Sequence, residues 1–233
     1  MCKCLLLNEI ESFRGMRYAP DVANDVEHFE DLSPDHPPVR GSLHRASSDD
    51  VLVLTHSAGG NSNAPLLVAI AEEFARRNIS VLRCDLPFRQ RRPKGPPMRT
   101  AAEDQQGLRR AAELMRARFS GRVYMGGHSY GGRMASMLLA ADPAVAEALL
   151  LLSYPLHPPK KPEQMRTQHF PKLVTPTLFV QGTKDEFATS AEISAARKLV
   201  AGKSELLVID GAGHSLAPKF ASEIAGVFSS FIG

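Results

Sequence analysis

Cysteine is scarce in this chain of 233 residues, and the three present are Cys2, Cys4 and Cys84. The count is odd, and Cys2 and Cys4 are too close to bridge without strain. No further cysteines or histidines stand near them at ligand spacing, so neither a disulfide nor a metal site is expected. All three read as free thiols, with Cys84 a buried strand residue. Long apolar runs are also missing: none approaches the roughly 18 residues that span a bilayer. Leu5 to Leu7 is too short for a signal-peptide core, and Asn8 and Glu9 follow at once. Charge of one sign is lacking too. A formal net charge of +3 is too small for a dedicated nucleic-acid binder. No Walker or Gly-x-Gly-x-x-Gly phosphate loop is present. The expectation is a cytoplasmic protein with a small-molecule substrate, no nucleic-acid or membrane partner and no cofactor. Its oligomeric state is left open.

A hydrophobic fraction of 43% and a charged fraction of 23% are ordinary for a globular chain, and the length suits one sizeable domain. Residues 1–38 carry scattered charges and end in Ser33-Pro34-Asp35-His36-Pro37-Pro38, which breaks any regular element. A leading strand or hairpin is expected around Phe29 and at Val39 to Ala46, and disorder in the first few residues. Residues 39–233 form the expected domain.

From Val51 onward, short apolar runs alternate with helical stripes. The runs are Val51–Leu54, Ile79–Cys84, Arg122–Met125, Ala148–Leu152, Thr177–Val180 and Leu206–Ile209. Continuous apolar runs of this length are strands buried on both faces. Between them, Asn61 to Asn63 is a candidate helix cap ahead of Leu67, Ile70 and Phe74. Thr100 with Glu103 and Thr189 with Glu192 have the spacing of capping boxes. Met134 to Ala141 is apolar all round, and Phe220, Ile224, Val227, Phe228 and Phe231 share one face. The alternation predicts an α/β fold with a mostly parallel central sheet and helices on both faces. Ligands in such sheets sit beyond the carboxyl ends of the strands.

Three of those ends carry reactive side chains. Gly127-His128-Ser129-Tyr130-Gly131 lies between a buried strand and a buried helix, where flanking glycines permit a sharp turn that exposes the serine. Asp185 follows the fifth run in Gly182-Thr183-Lys184-Asp185-Glu186, and His214 follows the sixth in Gly211-Ala212-Gly213-His214. The order Ser, Asp, His suits a nucleophile, an orienting acid and a general base. Glu186 and Asp210 are rivals for the acid, although Asp210 is too near His214 in sequence to orient it comfortably. His128 and His56 are rivals for the histidine. An oxyanion needs two backbone N–H donors. Tyr130 supplies one, and the Thr55-His56-Ser57-Ala58-Gly59-Gly60 loop the other, through Ala58 or, second, Ser57.

Two further segments border this edge. Leu86 to Arg99 holds Arg89, Arg91, Arg92, Lys94 and Arg99 among prolines, and reads as a solvated loop or one that meets an anionic group. Tyr154 to Lys172 is the one insertion long enough for a cap and too short for a lid domain. Its His157 reads as structural.

Together these residues resemble the α/β-hydrolase superfamily from about Val51 to the C-terminus. More narrowly they are similar to a group of small hydrolase-like proteins related to dienelactone hydrolases and to testis-expressed protein thirty. The markers are Leu54-Thr55-His56 with Ala58-Gly59-Gly60, Gly126-Gly127 with Ser129 and Gly131, Ser153-Tyr154-Pro155-Leu156-His157-Pro158-Pro159, Gly182-Thr183 with Asp185-Glu186, and Gly211-Ala212 with His214. Two positions depart: Ser57 stands where the group carries glycine, and Ser129 where dienelactone hydrolases proper carry cysteine. The resemblance implies an α/β-hydrolase fold with a minimal cap. The residues imply a serine hydrolase of small esters or thioesters, or else an interaction domain that keeps the fold without the chemistry.

Overall fold

A computed structural model describes residues 26–98 and 100–233. Cys2, Cys4, Arg99 and the disorder expected at the N-terminus lie outside the described residues. Among the described residues, eight strands form one sheet: β1 Val26–Asp31, β2 Val39–His44, β3 Val51–Thr55, β4 Ser80–Cys84, β5 Val123–His128, β6 Ala148–Leu152, β7 Thr177–Gly182 and β8 Ser204–Ile209. Their order is β1-β2-β4-β3-β5-β6-β7-β8. The β1–β2 and β2–β4 pairs are antiparallel, and every pairing from β4 to β8 is parallel. The sheet is thus mostly parallel, as the alternation of runs and stripes predicts.

Among the described residues, six α-helices accompany it: α1 Pro65–Arg76, α2 Pro87–Arg91, α3 Ala101–Arg118, α4 Tyr130–Ala141, α5 Ser190–Ala196 and α6 Ala221–Ile232. Successive strand residues point to opposite faces, and this divides the core in two. Val51, Val53, Val123, Met125, Leu149 and Leu151 pack with Leu108 and Met115 of α3 and Met134 and Leu138 of α4. Leu52, Leu54, Tyr124, Leu150 and Leu152 pack instead with Ile70 and Phe74 of α1 and Ile224 and Phe228 of α6. A strand with both faces covered cannot alternate polar and apolar residues, which is why β3 and β6 read as unbroken apolar runs.

Winding reverses at β3. From β3 the chain passes through α1 to β4 on one side, whereas from β5 it passes through α4 to β6 on the other. Right-handed crossovers then place α1 and α4 on opposite faces. The loops leaving β3 and β5 diverge, and a crevice opens at the carboxyl ends of these adjacent strands.

Three local expectations are corrected. Asn61 to Asn63 does not cap α1. Pro65 fixes the first helical position, so Ala64 becomes the capping residue, and Asn61 accepts from Asn63 N (2.9 Å) in the preceding turn. The Thr100–Glu103 box does not form. The Thr100 hydroxyl donates to the buried Asp104 carboxylate (2.8 Å), a stronger acceptor, and Glu103 pairs with Arg91. Residues 87–91, expected as loop, form α2, which Pro87 initiates. The Thr189–Glu192 box is present. Cys84 is buried, and burial pushes its thiol up to about 12, so it is inert. No described helix is long and apolar enough to cross a membrane.

Candidate active site

Ser129 stands on the turn between β5 and α4 with φ of 52° and ψ of −113°. This left-handed backbone is strained for a residue with a Cβ. The turn is held by Ser129 N donating to Leu152 O (2.8 Å) and by Arg133 N donating to Ser129 O (3.0 Å). Glycine is required on both sides. A Cβ on Gly127 would lie 2.5 Å from backbone atoms of Gly131 and Gly132, and one on Gly131 would lie 2.5 Å from His56 O. The first pair lets α4 fold back against β5, and Gly131 lets the loop after β3 reach the elbow.

Asp185 follows β7, and its side chain is fully buried. Its carboxylate accepts from Gln181 Nε2 (2.7 Å), Phe187 N (2.8 Å) and His214 Nδ1 (2.9 Å to Oδ2). His214 arrives from β8 across the close approach of Gly182 to Ala212, where a Cβ on Gly182 would meet Ala212 O at 2.2 Å. Its Nε2 lies 2.8 Å from Ser129 Oγ. The structure therefore brings the three residues together in one hydrogen-bonded line. The Phe187 ring stacks on the imidazole, with centroids 4.1 Å apart.

None of the rivals takes a place in this line. Glu186 is exposed, and Asp210, also exposed, accepts from Thr183 Oγ1 (3.2 Å). His157 is buried and tied to Phe187 O (3.2 Å, through its N–H) and Pro158 O (2.8 Å, from Nδ1). His128 turns the other way from Ser129, with Nε2 2.8 Å from the backbone oxygen of His214. Burial lowers its pKa to about 4, so it is neutral near pH 7 and donates from Nε2.

His56 is wholly buried in the loop after β3. Its Nε2 accepts from Leu86 N (3.1 Å), which assigns the proton to Nδ1, and Nδ1 donates to Ser57 O (2.8 Å). Burial lowers its pKa and favours this neutral form. Ser57 O also accepts from Gly60 N (3.1 Å). Across a trans peptide the N–H opposes the C=O, so the Ala58 N–H points away from these partners. Ser57 is half-buried and has no positive φ. Tyr130 is the first residue of α4, and its N–H has no acceptor within the helix.

Several residues that hold this site escape a reading of motifs. Asp104 is fully buried and accepts from Phe88 N (3.0 Å), Thr100 Oγ1 (2.8 Å) and Tyr130 Oη (2.7 Å). Burial and Asp104 raise the Tyr130 phenol pKa, so it remains a donor. The available signal was a carboxylate at position 104 on the same stripe as Leu108, Ala111 and Met115. Gln181, polar within an apolar strand, was the corresponding signal on β7. Arg89, expected in a solvated or anion-facing loop, is instead buried, with its bonds running to backbone carbonyls. Its neighbours Arg91, Arg92 and Lys94 are exposed.

The fold and this edge of the sheet define an α/β-hydrolase-type protein. Residues 48–226 match the alpha/beta hydrolase domain family, and the chain belongs to it. Solved structures agree in fold at low identity. Est1E from Butyrivibrio proteoclasticus superposes with a TM-score of 0.70 at 16% identity, covering 88% of this chain and 98% of its own. Dienelactone hydrolase from Anabaena variabilis gives 0.68 at 17%, covering 88% and 96%. XC6422 from Xanthomonas campestris, described as a serine hydrolase without lid, gives 0.65 at 16%, covering 90% and 94%.

Proposed function

We propose that this protein is a serine hydrolase that cleaves a small ester or thioester through an acyl-enzyme, with Ser129 as nucleophile, His214 as general base and Asp185 as its orienting acid. The observation that carries the reading is His214, with Nε2 2.8 Å from Ser129 Oγ and Nδ1 2.9 Å from Asp185. As Ser129 Oγ attacks the carbonyl carbon, its proton passes to His214 Nε2, and Asp185 stabilises the imidazolium through Nδ1–H. The developing oxyanion accepts from Tyr130 N and from the loop after β3, through Ala58 N or Ser57 N. His214 then protonates the departing alcohol or thiol. A water that gives its proton to the same imidazole attacks the acyl-enzyme, releasing the acid and restoring Ser129.

Acid-quenching the protein during turnover of p-nitrophenyl acetate and measuring its intact mass tests this sequence. One acetyl group per chain, borne on Ser129, is expected. An acetyl group borne on another residue, or turnover undiminished in Ser129→Ala, would contradict it.

A further inference from the structure

Arg89 in α2 is 5% exposed, yet its charge meets backbone carbonyls. Nε donates to Gly60 O (2.8 Å), Nη2 to Ala58 O (2.7 Å) and Gly95 O (3.0 Å), and Nη1 to Arg92 O (3.0 Å). The guanidinium also lies over the Phe88 ring, 4.9 Å from its centroid. Burying a cation among neutral acceptors is costly unless its hydrogen bonds are satisfied. Two of these four acceptors lie in the turn proposed to receive the oxyanion.

We propose that Arg89 is the positioning residue of the oxyanion loop, its guanidinium holding the Ala58 and Gly60 carbonyls inward so that the N–H groups of this turn face the elbow at Ser129. The proposal rests on the hydrolase reading for its catalytic consequence, though not for its structural one. Each peptide carries its N–H opposite its C=O. Tying Ala58 O to Arg89 therefore turns the Gly59 N–H away from the guanidinium, and nothing lies within 4 Å of a Cβ built on Gly59. Ser57 O is tied back by His56 and by Gly60 N, which turns the Ala58 N–H away from those two partners. Gly60 is thus held twice, through its N–H by Ser57 and through its C=O by Arg89.

The short helix that carries Arg89 also touches the other proposed donor. Phe88 N donates to Asp104, which accepts from Tyr130 Oη, and the Phe88 ring meets the Tyr130 ring edge-on, with centroids 5.7 Å apart. Leu86 N donates to His56. A lysine at position 89 would offer one nitrogen where the guanidinium offers three in a fixed fork.

Arg89→Met and Arg89→Lys, checked for folding by circular dichroism, test the role with p-nitrophenyl butyrate. Losing one oxyanion donor costs about 10²–10³ in kcat. Arg89→Met should therefore lose about 100-fold in kcat with KM within about threefold, and millimolar guanidinium should restore part of the loss. Arg89→Lys, which keeps the buried charge if the methionine variant does not fold, should lose at least about tenfold. Amide hydrogen exchange at Gly60 should quicken at least about tenfold in either variant, whether or not the wild type hydrolyses esters. Wild-type kcat in a folded variant, or a loss confined to KM, would overturn the catalytic role. Unchanged exchange at Gly60 would overturn the positioning itself. A wild type inert toward esters whose Gly60 exchange still responds to Arg89 would refute the hydrolase reading alone.

Discussion

His128 Nε2 lies 2.8 Å from the backbone oxygen of His214, so the residue before the proposed nucleophile fastens the residue proposed as its base. The two imidazoles are 5.5 Å apart, His128 at the end of β5 and His214 on the loop that follows β8, with β6 and β7 between those strands. This bond spans the sheet edge and fixes the loop that brings His214 to Ser129. Replacing His128 with leucine removes the donor and leaves the partly buried His214 carbonyl without this partner, at a cost of up to about 1–3 kcal/mol. The expected result is a folded protein with kcat at least about tenfold lower and KM little changed, measured on a short acyl ester. An unchanged kcat would show that the loop holds itself.

Asp185→Asn keeps the shape of the site and removes the charge that selects the His214 tautomer. A loss approaching ~10⁴ in kcat is expected. Glu186, exposed beside it, should tolerate glutamine within about twofold. The reverse pattern, with Glu186→Gln dead and Asp185→Asn active, would assign the acid to the wrong residue.

Acid should loosen the fold before it protonates most carboxylates. His44, His128 and His169 are each held at about 4, in every case chiefly by burial, with the charge of Arg83 adding at His44 and that of Arg133 at His169. Their ordinary value is near 6.5. Between about pH 6.5 and 4 the unfolded chain therefore binds protons that the native chain refuses, and stability falls as pH falls. Below about 4 both states are protonated and this contribution levels off. Thermal melts should show Tm dropping from pH 7 to pH 5, and the drop should shrink in His128→Gln. A flat Tm over that range would contradict the burial of these side chains.

Gly131→Ala tests the approach of the β3 loop to the elbow. The new Cβ would lie 2.5 Å from His56 O and 2.6 Å from Thr55 Cγ2. Overpacking of this kind costs about 1–3 kcal/mol, and the loop must also shift away from Ser129. Lower stability in urea melts together with a large loss of kcat is expected. Wild-type activity in this variant would mean that the loop has no part in the reaction.

The segment from Tyr154 to Lys172 sets the expected substrate size. Tyr154, Leu156 and Phe170 are buried in it, Tyr154 Oη donates to Arg166 O (2.7 Å), and Ser136 Oγ meets His169 Nε2 (2.8 Å). It packs down on α4 as a short cap. Four-carbon acyl esters should give a higher kcat/KM than sixteen-carbon ones, and the opposite ranking would contradict this.

Much of this arrangement is legible in the residues themselves, for a physical reason. Strands covered on both faces must be apolar throughout, so β3 and β6 announce themselves. Ser129 and Asp185 follow buried strands, whereas His214 follows β8, an edge strand whose Glu205 and Val208 are exposed although its run Leu206–Ile209 reads as buried on both faces. Glycines 127 and 131 mark a turn that only they permit. The hairpin of β1 and β2 is fainter because β1 lies at the sheet edge, where Val26, His28 and Glu30 are exposed. The supporting residues are hidden for another reason: their partners are remote in sequence. Nothing near Arg89 says that its guanidinium meets Ala58 and Gly60. Nothing near Asp104 names Tyr130, and a charge run among prolines looks alike whether its arginines are solvated or buried.

Covalent labelling by a fluorophosphonate tests the central claim most directly, because an activated serine reacts through the same base and oxyanion donors that acyl transfer requires. The wild-type chain should label at one site, mapped to Ser129 by peptide mass spectrometry. Ser129→Ala should not label, and His214→Ala should label at least about a hundredfold more slowly. A folded wild-type chain that fails to label would contradict the account and leave an interaction domain built on the same fold, and labelling as fast without His214 would contradict its role as base.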